Sequence, residues 1–117
     1  MSELITLQEI NAIKQARLIL KAHEFGFNPR QGEAWRDPRW AKQLHEMNLG
    51  SLNSLHIDRL AADYDFTVDG RVITLGSAEE ATRILEPLGK WWELQGGAWG
   101  GRWGDPRHWS LPYQGRK

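Results

Sequence analysis

Four side chains stand where metal chemistry could be done. His56 and Asp63 are separated by six residues, and Asp105 and His108 by two. A hydrolytic zinc centre uses three protein ligands and keeps one position open for water. Imidazole nitrogen and carboxylate oxygen both suit such an ion. The chain has no cysteine, so a transition-metal site must be built from His, Asp and Glu. His56 and Asp63 straddle a turn into a strand and can converge from two sides, while His108 arrives from the far end of the chain. Asp105, three residues before His108, is placed to act as a general base towards an activated water. The Trp- and Gly-rich segment that precedes it would form the wall of a cleft, with glycines letting backbone come close to a substrate.

Spacing alone leaves alternatives open. An alternating strand normally exposes its acids, and Asp65 shares the face of Asp63, so either could be the ligand. Segments rich in Trp and Gly also occur in carbohydrate- and peptide-binding modules without catalysis. The other two histidines, His23 in "KAHEF" and His45 in "QLHEM", read as solvated helix-end residues, a placement that suits the helix dipole.

The elements that must position these residues follow from pattern. "TLQE" at Thr6 reads as a capping box. The helix it opens carries Ile13, Ala16 and Leu20 on its inward face, flanked by Ala12 and Ile19. It ends near "FGFNP", with Gly26 as a left-handed cap. Asp37-Pro38 marks a second helix start, and "GSLNS" is loop. "LAADYDFTV" alternates, with Ala62, Tyr64 and Phe66 on the buried side and Asp63 and Asp65 on the other. Asp69-Gly70 suits a two-residue hairpin turn. "SAEE" at Ser77 caps a third helix carrying Ala81, Ile84, Leu85 and Leu88. Pro87 must kink this helix or start a second one through "LGKWWELQGG"; the break is expected, because proline costs about 3 kcal/mol inside a helix. Loop and short strand follow from Gly96. The class is α+β: a small antiparallel sheet with helices packed on one side.

Composition narrows the functions. At 117 residues the chain is read as a single domain. Lys plus Arg number 15 and Asp plus Glu 15, a zero balance that argues against nucleic acid or an anionic membrane surface as partner. No apolar run approaches the roughly 20 residues of a membrane span, and the N-terminus lacks the pattern of a signal peptide. The chain is therefore expected to be made in the cytosol and not exported on its own by the usual route. Five of its 7 tryptophans, with five glycines, fall between Trp91 and Trp109.

"SLHIDRLAADYDF" followed by "PLGKWWELQGGAWGGRWGDPRHWSL" resembles the zinc peptidases of the D-alanyl-D-alanine carboxypeptidase and L-alanyl-D-glutamate endopeptidase family, above all the short forms that bacteriophages encode as endolysins. The family's S-x-H-x6-D motif corresponds to Ser54, His56 and Asp63. Its E/D-x-x-H motif corresponds to Asp105 and His108. "WWELQGGAWGG" is similar to the intervening W-x-x-L-G-G-x-W-G-G stretch, and "GEAWRDP" to G-E-A-x-R-T-P, which makes Arg36 the counterpart of an arginine that faces the substrate. The chain departs from the family in three places: Asp105 stands where many members have glutamate, "HWSL" replaces "HFSL", and Asp37 replaces a threonine.

The resemblance implies a Hedgehog/DD-peptidase-like fold spanning residues 1–117, with no separate wall-binding domain, and one Zn2+ per chain held by His56, Asp63 and His108. It implies hydrolysis of a bond in the peptidoglycan stem peptide, L-alanyl-D-glutamate being the expected one. Asp105 would be the base and Arg36 would hold a substrate carboxylate or polarise the scissile carbonyl. Ser54 would support the site, and Trp99, Trp103 and Trp109 would serve as core and cleft wall. The expected protein is a monomer in the host bacterial cytoplasm that reaches the wall at lysis through a separate pore protein, a holin. Two other readings remain: a D-Ala-D-Ala carboxypeptidase or dipeptidase of the same fold, and a wall-peptide-binding module that does not cleave.

Overall fold

A computed structural model describes residues 3–48 and 54–117; most of the "GSLNS" loop lies outside the described residues. The elements run α1 (Glu3–Glu24), β1 (Asn28–Gln31), α2 (Pro38–Glu46), β2 (Ala61–Val68), β3 (Arg71–Val72), α3 (Ala78–Leu94), β4 (Ala98–Trp99) and β5 (His108–Ser110), with short 3-10 turns after β3 and β4. The five strands form an antiparallel sheet in the order β1-β2-β5-β4, with β3 hairpinned onto β2. The protein is α+β, and helices cover one side of the sheet. No helix of the described residues is long and apolar enough to cross a membrane.

Strand β2 organises the molecule. Its alternation sends Ala62, Tyr64 and Phe66 into a core with Leu18 and Ala22 of α1, Leu85, Leu88 and Trp92 of α3, and Trp99 and Trp109. Asp63 and Asp65 consequently project from the opposite face. Asp69 and Gly70 both take positive φ, 50° and 79°, so the hairpin turn forms as its sequence requires. Asp37 caps α2, accepting from the Arg39 amide with Pro38 in the first turn, and Ser77 caps α3, accepting from the Glu80 amide. Gly26 closes α1 at φ 82°.

Three expectations need correction, and one strand was not foreseen. Helix α1 begins at Glu3, so Thr6 lies inside it rather than capping it. Leu4 and Leu7 explain the extra turn, because they pack on a small cluster of Leu55, Leu60, Ala61 and Leu111. Its inward face is Asn11, Gln15, Leu18 and Ala22, whereas Ile13 and Leu20 are 57% and 69% exposed. The amides turn inward because buried polar groups need partners. Gln15 donates to the Trp109 carbonyl at 2.9 Å and accepts from the Tyr64 hydroxyl at 2.7 Å. Burial pushes the Tyr64 phenol up to about 12, which keeps it a donor.

Helix α3 does not break at Pro87 but runs unbroken from Ala78 to Leu94. Leu85, Leu88 and Trp92 flank the proline and are fully buried. At roughly 1.5–3 kcal/mol per large apolar side chain, their burial outweighs the cost of about 3 kcal/mol for one interior proline. Strand β1, "NPRQ", has no apolar alternation to announce it. It is mostly exposed and among the described residues pairs only with β2, an edge position where proline is tolerated.

Candidate metal centre

The β2–β5 register places Asp63 directly opposite His108. Side chains so paired share a face, with Cβ atoms about 4.5–5.5 Å apart. His56 comes from the turn before β2. Leu55 and Leu60 anchor this turn in the smaller apolar cluster, and the Leu60 amide closes it onto the Leu55 carbonyl at 2.9 Å. Ser54 Oγ accepts from the His56 amide at 3.2 Å, so its role is to shape the backbone that carries His56.

The three side chains converge. His56 Nε2 lies 3.3 Å and His108 Nδ1 3.8 Å from Asp63 Oδ1, and one ligand atom from each residue falls within 4.8 Å of the others. Zinc bonds of about 2.0–2.1 Å in tetrahedral geometry set ligand atoms roughly 3.3–3.4 Å apart, so a small inward movement would close the shell. Asp63 Oδ1 is buried and accepts no hydrogen bond among the described residues. An unpaired buried carboxylate oxygen facing two imidazole nitrogens fits a cation better than any neutral occupant. Both histidines are buried, which pushes the His108 imidazole below the ordinary 6.5; the neighbouring His56 adds to this, while Asp63 and Asp105 oppose it. A neutral ring is the form that binds metal.

Residues 32–36 clamp His56 and Asp63 through backbone. The Gly32 amide donates to the Asp63 carbonyl and the Asp63 amide to the Glu33 carbonyl, each at 2.7 Å, and the Arg36 amide donates to the His56 carbonyl at 3.1 Å. The Ala34 carbonyl lies 3.3 Å from His56 Nδ1. A carbonyl only accepts, so this contact places the proton on Nδ1 and leaves the Nε2 lone pair facing Asp63.

Asp105 stands beside the trio without joining it. Crowding by surrounding protein raises its carboxyl above the ordinary value, and Asp63 adds to that; His108, Arg107 and His56 oppose it. Its carbonyl accepts from the His108 amide at 3.1 Å and its amide donates to Gly100 at 2.8 Å. A Cβ on Gly100 would overlap the Asp105 carbonyl and His108 Cβ, so glycine is required for the two functional residues to sit in one tight turn.

The remaining expected residues divide. Arg36 turns both Nε and Nη2 to Glu33 Oε1, at 2.7 and 2.5 Å, and its side chain is 12% exposed. Trp99 and Trp109 are fully buried and stacked at 5.5 Å, whereas Trp103 is exposed, edge-on to the His108 ring at 5.6 Å. Of the three, Trp103 alone lines the site. Three glycines of this block make room for the protein itself: Gly97 lies under the Trp92 indole, Gly101 under that of Trp99, and Gly100 against the Asp105 carbonyl. Asp65 is bound by Thr74 at 2.8 Å and Arg107 at 2.9 Å and is not one of the three converging residues. His23 and His45 are exposed in the last turns of α1 and α2. Ala34 and Gly32 were not foreseen, because a backbone carbonyl or amide leaves no side-chain signature. Arg107 could have been noticed as the one cation between Asp105 and His108. No protein-family model matches the chain, and no curated protein matches it.

Proposed function

We propose that the protein is a zinc-dependent peptidoglycan peptidase of the phage endolysin type. It would cut the stem peptide at the L-alanyl-D-glutamate bond. The observation that carries this reading is the orphaned Asp63 Oδ1 facing His56 Nε2 and His108 Nδ1, with a second carboxylate, Asp105, held just outside. The motif resemblance supplies the substrate class. His56, Asp63 and His108 would hold the ion, which when bound supplies Lewis acidity towards a carbonyl and lowers the pKa of water.

The chain's own residues do the rest. Asp105, with its carboxyl raised, takes the proton from the attacking water and passes it to the leaving amine. The Ala34 carbonyl holds the His56 ring in the metal-binding tautomer. Trp103 provides an exposed aromatic wall beside His108. Action at the wall requires release from the host cytoplasm through a separate pore protein, with the chain working as a monomer.

Digestion of purified peptidoglycan, read by mass spectrometry, tests the proposal. New N-terminal D-glutamate with free L-alanine carboxyl ends is the expected result. Release of D-alanine would assign the carboxypeptidase reading instead, and a zinc-loaded protein releasing no new amino groups would leave a binding module.

A further inference from the structure

A substrate with free carboxylates needs a cation beside the metal centre, and the sequence pointed to Arg36. That guanidinium is nearly buried and paired with Glu33, on the loop behind His56. Arg102 bridges Glu86 and Glu93 of α3. Arg107 is placed differently. It lies between Asp105 and His108, and its side chain is 39% exposed. Its Nε donates to Asp65 Oδ1 at 2.9 Å and Nη2 reaches Asp65 Oδ2 at 3.5 Å. A guanidinium carries five N–H donors in a rigid fork, so the pairing with Asp65 leaves donors for a second anion, and Nη1 makes no hydrogen bond among the described residues.

The arm is built rather than incidental. Thr74 Oγ1 donates to Asp65 Oδ1, Asp65 holds the guanidinium, and the Arg107 carbonyl accepts from the Tyr64 amide at 3.0 Å. Gly32 leaves room for the head: a Cβ there would lie 3.1 Å from Arg107 Nη2 and 3.3 Å from the Asp63 carbonyl. Asp65 and Asp63 share a face two residues apart, about 7 Å along the strand. A carboxylate held at Arg107 is therefore one residue removed from a carbonyl held at the metal centre.

We infer that Arg107, oriented by Asp65 and Thr74, is the specificity-determining residue that grips a free substrate carboxylate on the residue following the scissile bond. This rests on the stem-peptide reading above. In an L-alanyl-γ-D-glutamyl peptide that group is the D-glutamate α-carboxylate, and its carboxamide is a neutral isostere.

The test is calorimetric binding of N-acetyl-L-alanyl-γ-D-glutamyl-L-lysine and its α-carboxamide to the protein as purified, with zinc content and cleavage measured alongside. The parent should favour the carboxylate by about ten- to a hundredfold, as a charge-assisted hydrogen bond warrants. Arg107→Ala should bring the two peptides within about twofold. Arg107→Lys should retain part of the preference, since a point charge replaces the fork. Arg36→Ala should keep the preference. Metal content should not change in Arg107→Ala or Arg107→Lys. Preference retained in Arg107→Ala, preference lost in Arg36→Ala, or no preference or binding in the parent would each overturn the inference. Carboxylate preference without cleavage would instead sink the peptidase reading while leaving Arg107 in its role.

Discussion

The two histidines of the centre are supported in unlike ways. His108 stands on β5 next to the buried Trp109 and after the Asp105 turn, and its position is set by strand pairing and by a glycine that tolerates no side chain. His56 stands on a turn anchored by Leu55 and Leu60 and is oriented by Ser54, the Ala34 carbonyl and the Arg36 amide. One arm is fixed by close packing, where a misplaced methyl group is costly. The other is fixed by individual hydrogen bonds, each worth about 0.5–1.5 kcal/mol. A damaged packing contact should therefore cost stability and metal together, whereas a lost hydrogen bond should chiefly loosen the metal.

The largest effect is expected at Gly100. Gly100→Ala forces a methyl into the Asp105 carbonyl, and overpacking of this kind costs about 1–3 kcal/mol. The urea midpoint and the bound zinc should fall together; a midpoint equal to that of the parent would show that the Asp105 turn can shift freely. Asp105→Asn comes next. It keeps the shape but removes the base, so turnover on purified wall should drop by at least about 100-fold while zinc is retained. Zinc loss as severe as in His108→Ala would make Asp105 a ligand and leave the reaction without its base.

A smaller effect follows from the buried imidazole of His108. Its pKa is lowered from 6.5 in the folded chain, so the unfolded chain takes up the proton first as pH falls. Stability from this source is complete above about 6.5 and is lost as pH drops through the lower folded value. Metal-free protein should thus lose stability in urea titrations as pH falls below about 6.5, and His108→Gln should flatten that slope. An unchanged slope would mean that His108 is solvated. Ser54→Ala should be the mildest change. Loss of one hydrogen bond costs about 1 kcal/mol or less, and zinc affinity should weaken by no more than roughly tenfold with little change in melting. A large fall in melting temperature would contradict the division between the two arms.

Local rules were legible wherever one residue type decides one geometry. Asp69-Gly70, Asp37-Pro38 and the Ser77 cap behave as their chemistry dictates, and the alternation of β2 separates Asp63 from the core. Periodicity misled where tertiary contacts overrode it. Asn11 and Gln15 displace Ile13 and Leu20 from the inward face of α1, because the Tyr64 hydroxyl and the Trp109 carbonyl are met by Gln15 and the Arg59 carbonyl by Asn11. Pro87 stays helical because neighbours on both sides are buried. The three candidate ligands were legible as side chains. The clamp that holds His56 and Asp63 was not, since it acts through the backbone of residues 32–36. Asp63 and Asp65 were indistinguishable by alternation; the β2–β5 register, which sets Asp63 opposite His108, and the partners of Asp65, Arg107 and Thr74, separate them.

Zinc content is the most direct test of the centre. Protein purified without chelator should carry about one zinc per chain by elemental mass spectrometry. His56→Ala, Asp63→Ala and His108→Ala should each lose most of it, because each removes one of only three protein ligands. Asp65→Ala, His23→Ala and His45→Ala should keep it. Full zinc in Asp63→Ala, or loss in Asp65→Ala equal to that in the histidine variants, would contradict the assignment of Asp63 as the ligand between His56 and His108.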